Sequence, residues 1–156
     1  MTIFTDYEST KQETQSLKKI GRLLAIDVGT KRLGLALSDA SRFIATPKLI
    51  LNRQSNEKDF AKIKDFIFAN EVIAIVIGRP INMDGALGEM TIFAEKFAQS
   101  LDEFLEKKFL IFLFEERLTS FEANQAHDSD LSRKKNKYVD DIAASFILQH
   151  FLESFC

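Results

Sequence analysis

The chain has 156 residues, 46% of them hydrophobic, and this length and composition predict one globular domain with a substantial core. Its 21 basic and 23 acidic residues give a net charge of −2, which excludes binding of nucleic acid by bulk positive charge and leaves only a local basic patch. The single cysteine, Cys156, excludes an internal disulfide, so we expect a cytoplasmic protein in a reducing setting.

The first segment of the chain, residues 1–20, is rich in Ser, Thr, Gln, Glu and Lys. This composition predicts a poorly ordered tail, and residues 21–156 are then the folded domain. No apolar run in the sequence approaches the roughly 20 residues that cross a bilayer, so we expect no membrane partner.

The domain begins with a predicted β-hairpin. Residues 22–28 and 33–38 are apolar strands, and the polar turn between them, residues 29–32, joins them. Residues 43–51 predict a third strand, which Pro47 restricts to an edge of the sheet or to a bulge.

The middle of the chain predicts a helix over about 57–69, capped by Asn56 and packed through three apolar side chains, Phe60, Ile63 and Ile67. The short apolar runs 72–78 and 109–114 are typical of strands buried on both faces, as in a parallel sheet. A helix over 86–106 lies between them, with an inward face of six residues: Ile92, Phe93, Phe97, Leu101, Phe104 and Leu105.

The C-terminal part predicts two more helices. A capping box over 119–122 begins a short helix, residues 127–137 predict a polar and mobile segment, and the last helix covers about 139–153. The order of elements is β-β-β-α-β-α-β-α-α. The predicted fold class is therefore α/β, with a mixed sheet of about five strands and helices on both faces.

Acidic residues are expected at one edge of this sheet, where the parallel strands end and where α/β proteins bind ligands. Asp27 lies at or near the end of the first strand, and Glu116 lies just past the run 109–114. In the last helix, the residues spaced at helical intervals after Asp140 are apolar, namely Ala143, Ala144, Ile147 and Phe151. Asp141 is instead followed at such intervals by Ser145 and Gln149, so Asp140 is predicted to point toward the packed side.

Three carboxylates at the end of a sheet suit a hard divalent cation, Mg²⁺ or Mn²⁺, and two such ions can serve phosphodiester cleavage. Each acid also has a simpler interpretation. Asp27 would cap its own turn, Glu116 would pair with Arg117 or lie in solvent, and Asp140 would be an acid at a helix start.

Four segments resemble, in the same order, the motifs of the YqgF family, also called the RuvX or pre-16S rRNA nuclease family: AIDVGTKRLGLALSD, VIGRPINMDG, EERLTSFEA and VDDIAASFILQHFL. The resemblance implies a ribonuclease H-like fold and a catalytic, metal-binding triad of Asp27, Glu116 and Asp140. It also implies maturation of the 5′ end of pre-16S ribosomal RNA, with Holliday junction resolution as the older assignment.

The sequence departs from the usual motifs of this family at two places. The usual Asp-Glu-Arg reads Glu115-Glu116-Arg117, so both glutamates are candidates to face the metal. The usual Gly-Leu-Pro reads Gly78-Arg79-Pro80, which adds a positive charge near the expected substrate path.

Candidates for contacts with the phosphates of RNA, free or in a ribosomal precursor particle, or of branched DNA are basic or amide side chains near these acids. They are Lys31, Arg32, Arg79, Asn82, Arg117 and the run Arg133, Lys134, Lys135, Asn136 and Lys137, which a solvated loop would equally explain. His150, three residues after Ile147, is interpreted as a packing residue, and His127 lies in the polar segment.

Two other functions remain open at this stage. Asp27-Val28-Gly29-Thr30 also resembles the phosphate loop of actin-like and sugar-kinase folds, although those proteins clamp ATP between two such domains and no second motif is visible here. The acids would be structural in a binding module without catalysis, and replacing Asp27 by Asn separates that case from a nuclease.

Overall fold

The computed structural model describes residues 1–117 and 132–156, and for Arg117 and residues 132–141 it describes the backbone alone. The described residues form six strands and four helices. In chain order these are β1 (Ile3–Phe4), α1 (Tyr7–Gln15), β2 (Arg22–Val28), β3 (Arg32–Ser38), β4 (Ala45–Asn52), α2 (Asn56–Ala69), β5 (Val72–Ile81), α3 (Glu89–Phe104), β6 (Leu110–Arg117) and α4 (Ser132–Phe155).

All six described strands form one mixed sheet in the order β1-β6-β5-β2-β3-β4. β1, β6, β5 and β2 run parallel to one another, β3 is antiparallel to β2, and β4 is antiparallel to β3. The α/β mixed sheet predicted from the sequence is confirmed, and β1 is the strand that the prediction of about five did not include.

The sheet buries both of its faces, because successive side chains of its central strands point to opposite sides. One face packs against α2 and α3, through Ile26, Ile75 and Leu113 among others. The opposite face packs against α4, with Ala25, Val76 and Phe112 below and a helix side made of Ala144, Ile147, Leu148, Phe151 and Leu152 above. Helices on both faces were expected, and they are present.

Residues 1–20 correct the prediction of a poorly ordered tail. β1 pairs with β6, so that Phe4 lies opposite Phe112 and is 7% exposed. The hydroxyl of Thr2 donates to both carboxylate oxygens of Asp102 in α3, at 2.7 and 2.9 Å. Helix α1 begins after Asp6, whose carboxylate accepts from the amide of Ser9 at 2.8 Å. The polar composition of this segment does not indicate its structure, because its partners lie in β6 and α3.

Strand β4 is an edge of the sheet and contains Pro47, as predicted. Pro47 lies opposite Ala36, next to the register shift between Leu35 and Ala36, and an edge strand or a bulge tolerates a residue without an amide hydrogen. The following helix, α2, is capped by Ser55 rather than by the predicted Asn56, because the Ser55 hydroxyl accepts from the amide of Lys58 at 3.2 Å. Its three predicted core side chains are buried: Phe60, Ile63 and Ile67.

Two further predictions from the sequence need correction. Ile92 of α3 is 48% exposed rather than inward, since the buried side of that helix runs through Ala94, Phe97 and Leu101. The polar segment predicted over 127–137 is helical from Ser132 onward, as the first turn and a half of α4. The short helix predicted over 119–122 lies outside the described residues. None of the described helices is both long and apolar enough to cross a membrane.

Candidate active site

Three parallel strands end at the same edge of the sheet. β5 is parallel to both of its neighbours, β2 and β6, so Asp27, Pro80 and Glu116 lie toward one edge. Glu116 is in register with Pro80, while Ile26 is in register with Ile77. Because β5 separates the other two strands and Glu116 lies two residues further along than Asp27, their backbones are roughly 10 Å apart across the strands and roughly 7 Å apart along them.

Asp27 lies on the face of the sheet that α4 covers. Leu23 and Ala25, four and two residues earlier in β2, belong to the core beneath α4, and side chains two apart in a strand share a face. Asp27 is partly buried, whereas the preceding residues of this face are fully buried. Its carboxylate therefore lies at the boundary between the core beneath α4 and the open end of β2.

The turn that follows Asp27 is closed by its own backbone and supported by Arg53. The amide of Gly29 donates to the carbonyl oxygen of Arg32 at 2.9 Å. Arg53 donates to the carbonyl oxygen of Gly29 at 3.4 Å and, through Nε, to the carboxylate of Asp59 at 2.9 Å. Asp59 is fully buried at the start of α2, so the turn is tied to that helix.

The two adjacent glutamates at the end of β6 lie on opposite faces of the sheet. Glu115 accepts from Arg79 Nη1 at 2.9 Å, and Arg79 Nε donates to Glu95 of α3 at 2.8 Å. Glu115 therefore belongs to the face that α3 covers. Glu116 contacts His150 of α4, so it shares the opposite face with Asp27. The structure thus separates two residues that the sequence motif left equivalent.

His150 was interpreted as a packing residue, and the structure corrects this. Its side chain is 52% exposed, and its Nδ1 lies 2.9 Å from Oε1 of Glu116, which is 19% exposed. With Glu116 ionised, its carboxylate accepts in this contact and the donor is an Nδ1 hydrogen of His150. The two residues are 34 positions apart, and no local pattern in the sequence brings them together.

Helix α4 is fixed over the sheet by the turn from Ile147 to Phe151. A Cβ atom on Gly78 of β5 would lie 2.6 Å from Cδ1 of Ile147, so the absence of a side chain there lets the helix approach. The ring of Phe151 packs against those of Phe112 and Phe114, with centroids 5.3 and 5.6 Å away. These contacts set the position of α4 relative to β5 and β6.

Asp140 lies in α4, seven residues before Ile147, or about 10 Å along the helix axis. Its side chain and that of Asp141 are outside the described side chains, so the predicted difference between them remains a prediction. Ala144, Ile147 and Phe151, which the prediction placed on the packed side, are buried. The backbone of Asp140 therefore belongs to the helix that covers the face of Asp27 and Glu116.

The candidate phosphate contacts divide into three groups. Lys31 and Asn82 are exposed, and Arg32 is partly buried beside the hairpin turn. The guanidinium of Arg79 is bound by two carboxylates and is 11% exposed, which makes it a weaker candidate for a phosphate contact. The remaining candidates have side chains outside the described ones: Arg117, Arg133, Lys134, Lys135, Asn136 and Lys137.

Asp27 and Glu116 offer carboxylate oxygens on one face, which are the ligands that Mg²⁺ and Mn²⁺ prefer. Among the described side chains, no group of three His, Cys, Asp or Glu residues could hold a metal ion. The side chain of Asp140 is not among those described. The donor set fits a hard divalent cation in its chemistry, and a third oxygen ligand would have to come from the undescribed side chains or from substrate.

Comparison with known proteins gives consistent results along most of the chain. The family model RuvX, described as "Holliday junction resolvase", matches residues 21–154. A protein of Thermoanaerobacter pseudethanolicus, named "Putative pre-16S rRNA nuclease", is 41% identical over 136 residues, which are 85% of this chain and 96% of that protein. A protein of the same name from Koribacter versatilis is 39% identical over 137 residues, covering 85% and 87%.

The fold is similar to that of the fowlpox virus resolvase, whose crystal structure holds Holliday junction DNA. The TM-score is 0.51 at 14% sequence identity, and the match covers 85% of this chain and 97% of the resolvase. This similarity confirms the expected ribonuclease H-like fold. The family model and the relatives show that the chain is a member of the RuvX family and a nuclease.

Proposed function

We propose that this nuclease acts on the precursor of 16S ribosomal RNA and matures its 5′ end in a divalent-metal-dependent reaction. The observation that carries the proposal is the shared placement of Asp27 and Glu116 on the sheet face beneath α4, while Glu115 is bound to Arg79 on the other face. The substrate follows the names of the relatives. The expected partner is the ribosomal precursor particle in the cytoplasm.

In this proposal Asp27, Glu116 and Asp140 hold Mg²⁺ or Mn²⁺ with carboxylate oxygens. A bound divalent cation supplies Lewis acidity to a phosphodiester group. The protein contributes rigidity: the hairpin turn fixes Asp27, strand β6 fixes Glu116, and the packed turn from Ile147 to Phe151 fixes the helix of Asp140. Partial burial of both sheet carboxylates limits competition from bulk water.

In this proposal, positive charge for the RNA backbone comes from two segments of the chain. Lys31 and Arg32 follow Asp27 in the hairpin turn, and Arg133 to Lys135 lie at the start of α4, before Asp140. The net charge of the chain is −2, so these local groups, and not the molecule as a whole, would attract phosphates. Asn82, which is exposed after β5, adds a neutral donor.

The test is cleavage of a pre-16S rRNA fragment that contains the 5′ maturation site, measured with Mg²⁺, with Mn²⁺ and with EDTA. We expect Asp27→Asn, Glu116→Gln and Asp140→Asn each to lower the cleavage rate by at least about 100-fold, more than loss of a residue that only orients a metal ligand. Their melting temperatures should remain close to that of the wild type.

The chain offers two matched controls for this experiment. Glu115→Gln changes the neighbouring residue of the same type on the opposite face, and Asp141→Asn changes the neighbour of Asp140. Both should retain cleavage within a few fold of the wild type. Wild-type activity in Asp27→Asn, free of contaminating nuclease, would falsify the metal site. Inactivation by Asp141→Asn with full activity in Asp140→Asn would show that the third ligand is Asp141 and not Asp140.

A second candidate substrate is a four-way DNA junction. The description of the matching family model and the fold similarity to a junction resolvase favour it. The same variants are therefore assayed on a synthetic four-way junction beside the RNA fragment. Faster metal-dependent cleavage of the junction than of the RNA, lost in Asp27→Asn, assigns the site to branched DNA.

A further inference from the structure

The contact between His150 and Glu116 joins the helix on one face of the sheet to the end of strand β6. It is a short contact, 2.9 Å from Nδ1 to Oε1, and the carboxylate is 19% exposed. Hydrogen bonding to one oxygen restricts rotation of the carboxylate about its last torsion, which is otherwise broad. The donor thereby sets the direction in which the carboxylate presents its lone pairs.

The imidazole is held in place by a rigid part of α4. Its neighbours in the helix, Gln149 and Phe151, are both tied to the sheet. Gln149 accepts from the amide of Ala45 at 2.9 Å and donates to the carbonyl oxygen of Phe43 at 3.1 Å. Phe151 is fully buried. The backbone of His150 therefore has little freedom, although half of its side chain faces solvent.

We propose that His150 is a positioning residue that orients the carboxylate of Glu116 for metal binding. The inference rests on the proposed function, because it assigns a purpose to the orientation of a proposed ligand. A carboxylate that loses one of its outer partners still carries its charge but is held less firmly in one orientation. Loss of such outer partners typically lowers metal affinity or activity by 10–100-fold.

The contact itself can be tested without metal. In the metal-free protein, at a pH where the ring carries a single hydrogen, ring ¹⁵N NMR of His150 should show that hydrogen on Nδ1. Glu116→Ala should shift the population toward the tautomer with hydrogen on Nε2, which is the usual form without a partner on Nδ1. A tautomer that does not respond to Glu116→Ala overturns the contact.

The consequence for the site is tested with Mn²⁺ alone, by titration calorimetry, and with the cleavage assay. We expect His150→Ala to weaken Mn²⁺ binding by about 10-fold and to lower kcat with little change in KM for the RNA. His150→Asn places an amide donor near the position of Nδ1 and should recover most of the affinity. Ser154→Ala removes an exposed hydroxyl of the same helix that bonds the backbone of His150, and should leave both measurements unchanged.

Mn²⁺ binding by His150→Ala equal to that of the wild type overturns the positioning role, and so does failure of His150→Asn to recover any affinity. Asp27→Asn serves as the separate check on the proposed function. If Asp27→Asn binds Mn²⁺ as the wild type does, the proposed metal site is wrong, and the proposed role of His150 is wrong as well. If Asp27→Asn loses Mn²⁺ while His150→Ala does not, only the role of His150 is wrong.

Discussion

Glu115 and Glu116 are adjacent in the chain and identical in type, yet the strand sends them to different partners. Glu115 is 53% exposed and pairs with Arg79, whereas Glu116 is 19% exposed and meets His150. Alternation along the strand is the cause, because a shift of one residue moves a side chain to the other face. An insertion or deletion of a single residue in β6 would exchange these roles.

Two glycines near the acids are required for different physical reasons. A Cβ on Gly29 would lie 2.6 Å from the carbonyl oxygen of Arg32, which is backbone and cannot move without opening the turn. A Cβ on Gly78 would meet Cδ1 of Ile147, the tip of a side chain, at the same distance. The first conflict strains the hairpin, and the second strains only the packing of α4.

We expect Gly29→Ala to lower the free energy of unfolding by about 2 kcal/mol and Gly78→Ala by about 1 kcal/mol, as for overpacked sites. Urea denaturation measures both. Adding Ile147→Val removes Cδ1, so it should restore stability to Gly78→Ala but not to Gly29→Ala. Equal recovery in both double variants would contradict the assignment of the two contacts.

At the scale of elements, the N-terminal strand and helix hold the part of the sheet that carries Glu116. β1 pairs with Ile111 and Phe112 at the outer edge of β6, and the ring of Tyr7 in α1 packs against that of Phe155 in α4, with centroids 5.3 Å apart. An uncovered edge strand exposes unpaired backbone groups and invites pairing with other chains. The segment thus pairs part of the β6 edge with a very short edge strand, and it braces α4 at its end.

We expect Phe4→Ala to lower the free energy of unfolding by about 3 kcal/mol, because Phe4 is buried against Phe112. Tyr7→Ala, at a side chain that is 57% exposed, should cost about 1 kcal/mol or less. Chemical denaturation of the full chain gives both values. A loss below about 0.5 kcal/mol in Phe4→Ala would be the size of an ordinary surface substitution. It would contradict the packing of this segment against the sheet.

At the scale of the whole molecule, Arg53 links parts of the chain that are distant in sequence. Besides its bonds to Gly29 and Asp59, its guanidinium lies over the rings of Phe93 and Phe97 in α3, 5.9 and 5.3 Å from the centroids. The single guanidinium of Arg53 therefore contacts the hairpin turn, α2 and α3. Removing it leaves the carboxylate of Asp59 buried without its charged partner.

Arg53→Met should lower the free energy of unfolding by about 3 kcal/mol, the usual cost of an uncompensated buried charge. Adding Asp59→Asn removes that charge and should recover part of the loss, which a double-mutant cycle measures. Strictly additive losses in the cycle would show that the two side chains do not interact.

The sequence predicted those features that local pattern determines. Apolar runs identified β2, β5 and β6 because a buried strand needs apolar side chains wherever it lies, and Pro47 identified an edge because it lacks an amide hydrogen. The two-residue strand β1 is too short for any periodicity, and only Phe112, over a hundred positions away, explains the burial of Phe4. His150 was missed for the same reason.

The pairing of β1 with β6 also has a consequence for the order of folding. The partners of Thr2 are Asp102 and the amide of Ile111, so the first strand gains nothing from docking until β6 and α3 exist. During synthesis the residues of β1 remain unpaired until about a hundred others have emerged. In that time β2 to β4 can form their local hairpins. Docking of β1 on β6 is therefore a late kinetic event, and a nascent chain stalled before β6 leaves its first strand unpaired.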